Sequence, residues 1–153
     1  MNKKVLIFEF HRSSEDVAGD YELLSDIDKE RIADLEPEAT FDYEDEFGNY
    51  NCCLIISEIE LESYKKLLDE NNIPYLCKDI TKNVIKNDVN LSKKLIKYTT
   101  NINENLYYDF IKKVDKWISQ NLELDIILDM ISEKGINSLR KIDKEYLENY
   151  EKH

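Results

Sequence analysis

Residues 40–57 have the sequence TFDYEDEFGNYNCCLIIS, and this stretch predicts a β-hairpin. In its first half, Phe41, Tyr43 and Phe47 lie on one face of a strand while acidic residues occupy the other. The pair Gly48-Asn49 predicts a two-residue turn, because both residues tolerate positive φ. The return strand after the turn is apolar on both faces, so we expect it in the middle of a sheet.

The preceding part of the chain supplies a second central strand and helical segments. The apolar run Val5–Phe8 is short and continuous, as in a buried strand. A polar loop is expected over His11–Asp20. Residues 21–35 roughly keep helical spacing and predict one helix or two short ones, with Ser25 or Asp26 as an internal cap.

After the hairpin, Leu61–Leu68 predicts an amphipathic helix, and Ile73–Cys77 predicts a fourth strand. Pro74 lacks a ladder donor, so this strand fits a sheet edge. The order β-α-β-β-α-β predicts a ferredoxin-like α+β domain over residues 1–82, with strands one and three central. Residues 83–153 predict a C-terminal helical extension that packs on this domain or on a partner.

Net charge is concentrated in one segment. The 153 residues include 33 acidic and 21 basic ones, for a net charge of -12. Between Ser14 and Glu46 lie fourteen acids and two bases, which accounts for the whole net charge. This balance argues against nucleic-acid binding, because phosphate contacts need basic side chains.

Such a segment is either a solubilising face or a surface for a basic partner, including mimicry of nucleic-acid phosphate. The functional interpretation is a non-enzymatic interaction module, such as an inhibitor or immunity-type protein, that binds a protein with a basic surface. The residues predicted to meet this partner are Asp20, Glu22, Asp26, Asp28, Glu30, Asp34, Asp42, Glu44, Asp45 and Glu46.

An alternative site follows the first strand, where His11, Arg12, Ser13 and Ser14 bring together an imidazole, a cation and two hydroxyls. Loops at strand ends often carry binding or acid–base groups. This interpretation predicts a small-ligand-binding regulatory domain or a small enzyme. The competing interpretation is a polar surface loop in which Ser14 caps a turn of helix.

Three cysteines, Cys52, Cys53 and Cys77, are expected as reduced thiols in a cytoplasmic protein. The N-terminal apolar run is too short for a signal peptide, and no stretch is long enough for a membrane span. We expect no metal and no cofactor. A calcium loop starting at Asp42 would need glycine at Phe47 and glutamate at Cys53, and the three glycines of the chain leave no phosphate-binding loop.

The segment 125–139, DIILDMISEKGINSL, resembles a helical-hairpin motif of bacterial proteins, found in the C-terminal tails of some rhomboid-like membrane proteins. The matching residues are Ile127, Leu128, Ile131, Gly135, Ser138, Leu139 and Leu147. Arg140 replaces the usual threonine cap, and Ile142-Asp143 replaces an acidic pair, so the second helix is expected to start later or fray. The resemblance implies a portable docking or packing element and no active site.

Overall fold

The computed structural model describes residues 2–100 and 103–151. Its elements are β1 (Lys3–Glu9), α1 (Ser14–Glu22), α2 (Asp26–Ala33), β2 (Ala39–Glu44), β3 (Tyr50–Ser57), α3 (Glu58–Glu70), β4 (Leu76–Asp79), α4 (Thr81–Ile85), α5 (Leu91–Leu95), α6 (Glu104–Asn121), α7 (Leu124–Lys134) and α8 (Lys141–Glu151). Short 3-10 helices occur at Ile96–Tyr98 and Ile136–Ser138. The predicted α+β class is confirmed.

The four strands form one sheet in the order β2-β3-β1-β4, with every neighbouring pair antiparallel. The two apolar strands, β1 and β3, are central, as their composition predicts. The acidic strand β2 and the short strand β4 form the edges. The register places Phe8 opposite Cys52 in the centre of the sheet.

Helices cover both faces of the sheet, because alternate residues of each strand point in opposite directions. Leu6 and Phe8 of β1 belong to the hydrophobic cluster that includes α1 and α3. Val5 and Ile7 belong to the cluster formed with α4 to α7, in which Trp117 of α6 is fully buried. The described part of the helical extension thus shares a hydrophobic core with the sheet. The boundary at residue 82 stays a prediction.

The predicted loop over His11–Asp20 is wrong, because α1 already begins at Ser14. Ser13 has extended backbone angles, and its hydroxyl accepts the N–H of Asp16 at 3.2 Å, so Ser13 and not Ser14 is the cap. The predicted cap at Ser25 is confirmed: its hydroxyl accepts the N–H of Asp28 at 3.2 Å and starts α2 as a separate helix.

The hairpin turn is longer than predicted. Strand β2 ends at Glu44, and residues 45–49 form the connection. The Asp45 carboxylate accepts the N–H groups of Phe47 at 2.9 Å and Asn49 at 3.0 Å, which ends the ladder early. Gly48 has the expected positive φ of 76°. Phe47, predicted to share a strand face with Phe41 and Tyr43, is instead 81% exposed because it lies in this turn, whereas the other two are buried.

The fourth strand is shifted along the chain relative to Ile73–Cys77. Asn71 ends α3, Asn72 takes a positive φ of 56°, and Ile73 is buried as its N–H donates to Leu68 at 3.0 Å. Because β4 begins only at Leu76, Pro74 lies before the strand. The missing donor of Pro74 therefore does not explain why β4 is an edge.

The expected late start or fraying of the last helix is wrong. α8 begins at Lys141, directly after Arg140. Asp143 is fully buried, and its carboxylate accepts the backbone N–H of Arg140 at 2.8 Å, which is the second half of a capping box. The guanidinium of Arg140 donates to the carbonyl of Val84 at 2.9 Å and ties α8 to the end of α4.

Candidate protein-interaction surface

Two of the ten predicted partner-binding acids are paired inside the protein. Arg12 Nη1 lies 2.6 Å from Asp20 Oδ2. Asp28 accepts hydrogen bonds from Asn71 at 3.1 Å and from Arg31 at 2.9 Å. The hydrogen bond from Asn71 is the main cause of a lowered pKa of Asp28, and the bond from Arg31 lowers this pKa further. Asp20 and Asp28 therefore help to fix α1 and α2 and offer less charge to a partner.

Two acids of β2 are hydrogen-bonded to hydroxyls. The Tyr50 hydroxyl donates to Asp42 Oδ1 at 2.8 Å, and the Ser14 hydroxyl donates to Glu44. Both carboxylates remain on exposed residues. Neutral donors leave their negative charges uncompensated, so this edge of the sheet keeps its acidic character.

The turn acids Asp45 and Glu46 hold the local structure. Burial acts to raise the pKa of Asp45, but backbone N–H groups of Asn49 and Phe47 outweigh it and the pKa is lowered. The Tyr98 hydroxyl donates to Glu46 Oε2 at 2.7 Å and lowers the pKa of that carboxyl. Asp45 is thus a structural residue, whereas Glu46 is exposed.

The remaining four acids, Glu22, Asp26, Glu30 and Asp34, form what we call the acidic ridge. All four are exposed on α1 and α2. Among the residues that the structure describes, no lysine, arginine or histidine nitrogen lies within 4 Å of a ridge carboxylate. The ridge is therefore the helical group of predicted partner-binding acids that have no internal counter-charge, in addition to the uncompensated Asp42 and Glu44 at the sheet edge.

Helix stability does not explain most of the ridge. Negative charge stabilises a helix N-terminus and destabilises its C-terminus. Glu22 is the last residue of α1, which has no basic residue in its last turn. Glu30 lies in the last turn of α2 and Asp34 is its C-cap. Only Asp26 lies in a first turn, so three ridge acids act against the helix dipole.

Two large exposed apolar side chains directly follow ridge acids in the sequence, Leu23 after Glu22 and Ile27 after Asp26. Leu23 is 85% exposed and Ile27 is 72% exposed. Leu24 before α2 is buried, whereas α2 itself has no buried residue. Apolar contacts surrounded by charge are typical of a protein interface.

The side chains of the alternative site, His11–Ser14, have structural contacts. His11 has a positive φ of 55°, and its Nε2 lies 3.8 Å from Glu9 Oε2. Arg12 pairs with Asp20, whereas its Nε and Nη2 are buried and have no hydrogen-bond partner among the described residues. Ser13 caps α1 and Ser14 bonds to the hairpin. These contacts favour the polar-surface-loop interpretation, although a ligand site here stays a prediction.

The three cysteines are free. Burial raises the pKa of Cys53 to about 12, and burial followed by the nearby Asp42 raises the pKa of Cys52. Because the thiolate is the reactive form, both thiols are suited to packing and poorly suited to nucleophilic chemistry.

Within residues 2–100 and 103–151, every helix is too short or too polar to cross a bilayer. No protein-family model, curated protein or solved structure matches the chain.

Proposed function

We propose that this protein is a non-enzymatic interaction module that presents the acidic ridge to a partner with a basic surface, as an inhibitor or immunity-type protein does. The observation that carries the proposal is the ridge itself. Its four exposed carboxylates have no internal counter-charge among the described residues, and three lie where they destabilise their own helices. A basic partner would remove this repulsion on binding.

Leu23 and Ile27, which directly follow the ridge acids Glu22 and Asp26 in the sequence, add exposed apolar area to this segment. In protein interfaces, charges steer the encounter and apolar contacts supply affinity.

We further propose that residues 1–82 form a ferredoxin-like domain, supported by the element order and by the central position of β1 and β3. A cytoplasmic location is supported by the free thiols. The tail motif is proposed as a portable docking or packing element, supported by the burial of its residues Ile127 and Leu139 in the cluster that α6 forms with the sheet.

The test compares two variants that change charge equally. The ridge variant carries Glu22→Gln, Glu30→Gln and Asp34→Asn, which remove three of the four ridge charges and keep only Asp26. The tail variant carries Asp109→Asn, Glu148→Gln and Glu151→Gln, which remove the same number of charges from exposed acids of the tail. Each immobilised protein is used to capture proteins from the native cell at low and high salt.

The proposal predicts a protein that the wild-type chain and the tail variant retain at low salt and release at high salt. The ridge variant should fail to retain that protein. Equal retention by all three proteins would contradict the proposal, because the ridge charges would then contribute nothing specific to binding.

A further inference from the structure

Strand β2 is an edge of the sheet, paired with β3 on one side only. In the described part of the chain, no hydrogen bond joins the backbone of Ala39–Glu44 to anything except β3. An open edge presents unpaired N–H and C=O groups, which are a template for another extended strand.

The hydrogen-bonding residues of this edge can be identified from the register. The N–H of Asp45 donates to the carbonyl of Asn49 at 2.9 Å, so these residues form a hydrogen-bonded pair. Such pairs alternate along an antiparallel ladder. Tyr43 and Phe41 therefore turn their backbone groups toward β3. The backbone N–H and C=O groups of Thr40, Asp42 and Glu44 point away from β3, toward the open edge.

The charge of the edge indicates which strand can pair with it. Thr40, Asp42 and Glu44 are all exposed, and two of the three are acidic. A second copy of β2 would bring carboxylates opposite carboxylates, which disfavours pairing. A basic strand would instead place cations beside Asp42 and Glu44.

We propose that the outer edge of β2 binds an extended segment of a partner protein that carries lysine or arginine at alternate positions. The period of two matches the spacing of Asp42 and Glu44, because alternate strand residues share a face. This inference rests on the proposed function because it assumes the same basic partner, and it adds how that partner binds.

The probe is a capped seven-residue peptide of alternating lysine and valine. Binding to the full-length protein is followed by amide hydrogen exchange. We expect saturating peptide to slow exchange at Thr40, Asp42 and Glu44 at least tenfold. The same peptide with every internal amide N-methylated keeps its charge, but its methyl groups would clash with the β2 backbone and its amides cannot donate, so strand pairing is blocked and no slowing is expected.

The matched protein variant is Asp42→Asn with Glu44→Gln, which keeps the side-chain shapes and should weaken peptide binding at least tenfold. Any of three results would overturn the inference: no binding of the peptide, binding that does not slow exchange at the edge, or equal binding of the N-methylated peptide. The ridge variant separates the two proposals. If the peptide still slows exchange at the edge while the ridge substitutions leave protein capture unchanged, only the proposed function is refuted.

Discussion

Replacing Asp143 by alanine should strongly destabilise the C-terminal part of the protein. The Asp143 carboxylate is fully buried and accepts three hydrogen bonds from Arg140: from the backbone N–H at 2.8 Å, Nε at 2.9 Å and Nη2 at 3.0 Å. Removal leaves a guanidinium whose side chain is only 16% exposed without its counter-charge.

Breaking one partner of a buried pair costs about 3–5 kcal/mol. Arg140 keeps its bonds to the carbonyls of Val84 and Ile85, so we expect the lower end, about 3 kcal/mol in the free energy of unfolding. For a chain of this length, that corresponds to a fall in Tm of about 6–12 °C.

The assay is denaturant unfolding followed by circular dichroism, with thermal melting as a second readout. The control is Glu145→Gln, which removes an exposed helical pair with Lys141 at 3.9 Å. It should cost no more than about 0.5 kcal/mol. Arg140→Met should also destabilise, and the double variant should cost less than the sum of the single ones by about 1 kcal/mol or more.

A loss below about 1 kcal/mol for Asp143→Ala, or additive costs in the double variant, would show that the buried pair does not hold α8 as described.

The remaining predictions concern the hairpin and two glycines. The pKa of Asp45 is lower in the folded state than in the unfolded state, where it is about 3.9, so the charged carboxylate stabilises the folded protein at pH values above the unfolded-state pKa. This stabilisation is lost as the pH falls through the folded-state pKa. The free energy of unfolding of wild type relative to Asp45→Asn should therefore decline on acidification below about pH 4; a difference that stays constant with pH would contradict this. Gly135 has φ 86° and ψ 160°, a region open essentially only to glycine, so Gly135→Ala should cost about 1–3 kcal/mol by denaturant unfolding. Gly19 lies inside α1 with open space around it, so Gly19→Ala should stabilise by about 0.5–1 kcal/mol, and a stability loss there would be contrary to expectation.

The central strands could be predicted because their apolar patterns are local. Val5–Phe8 and the return strand of the hairpin are apolar on both faces, and only the middle of a sheet buries both faces. The hairpin turn could not be placed exactly. The Asp45 side chain competes for backbone N–H groups that alternation assigns to the ladder, and this competition moves Phe47 into solvent.

The internal pairing of the acids could not be predicted, because their partners are distant in sequence or lie on other elements. Asp28 accepts a hydrogen bond from Asn71 of the α3 C-cap, and Glu46 accepts one from Tyr98. The sequence shows only a continuous acidic segment. The three-dimensional contacts separate the acids that hold the fold from those of the ridge.

The association rate between this protein and the partner that it captures, measured across ionic strength, addresses the role of the ridge most directly. Steering by uncompensated charge predicts a rate that falls steeply as salt is raised, by about tenfold or more. The Glu22→Gln, Glu30→Gln, Asp34→Asn variant should associate more slowly and with a weaker salt dependence, while the tail variant should match wild type. A rate that is indifferent to salt, or equal for both variants, would contradict an electrostatic role for the ridge.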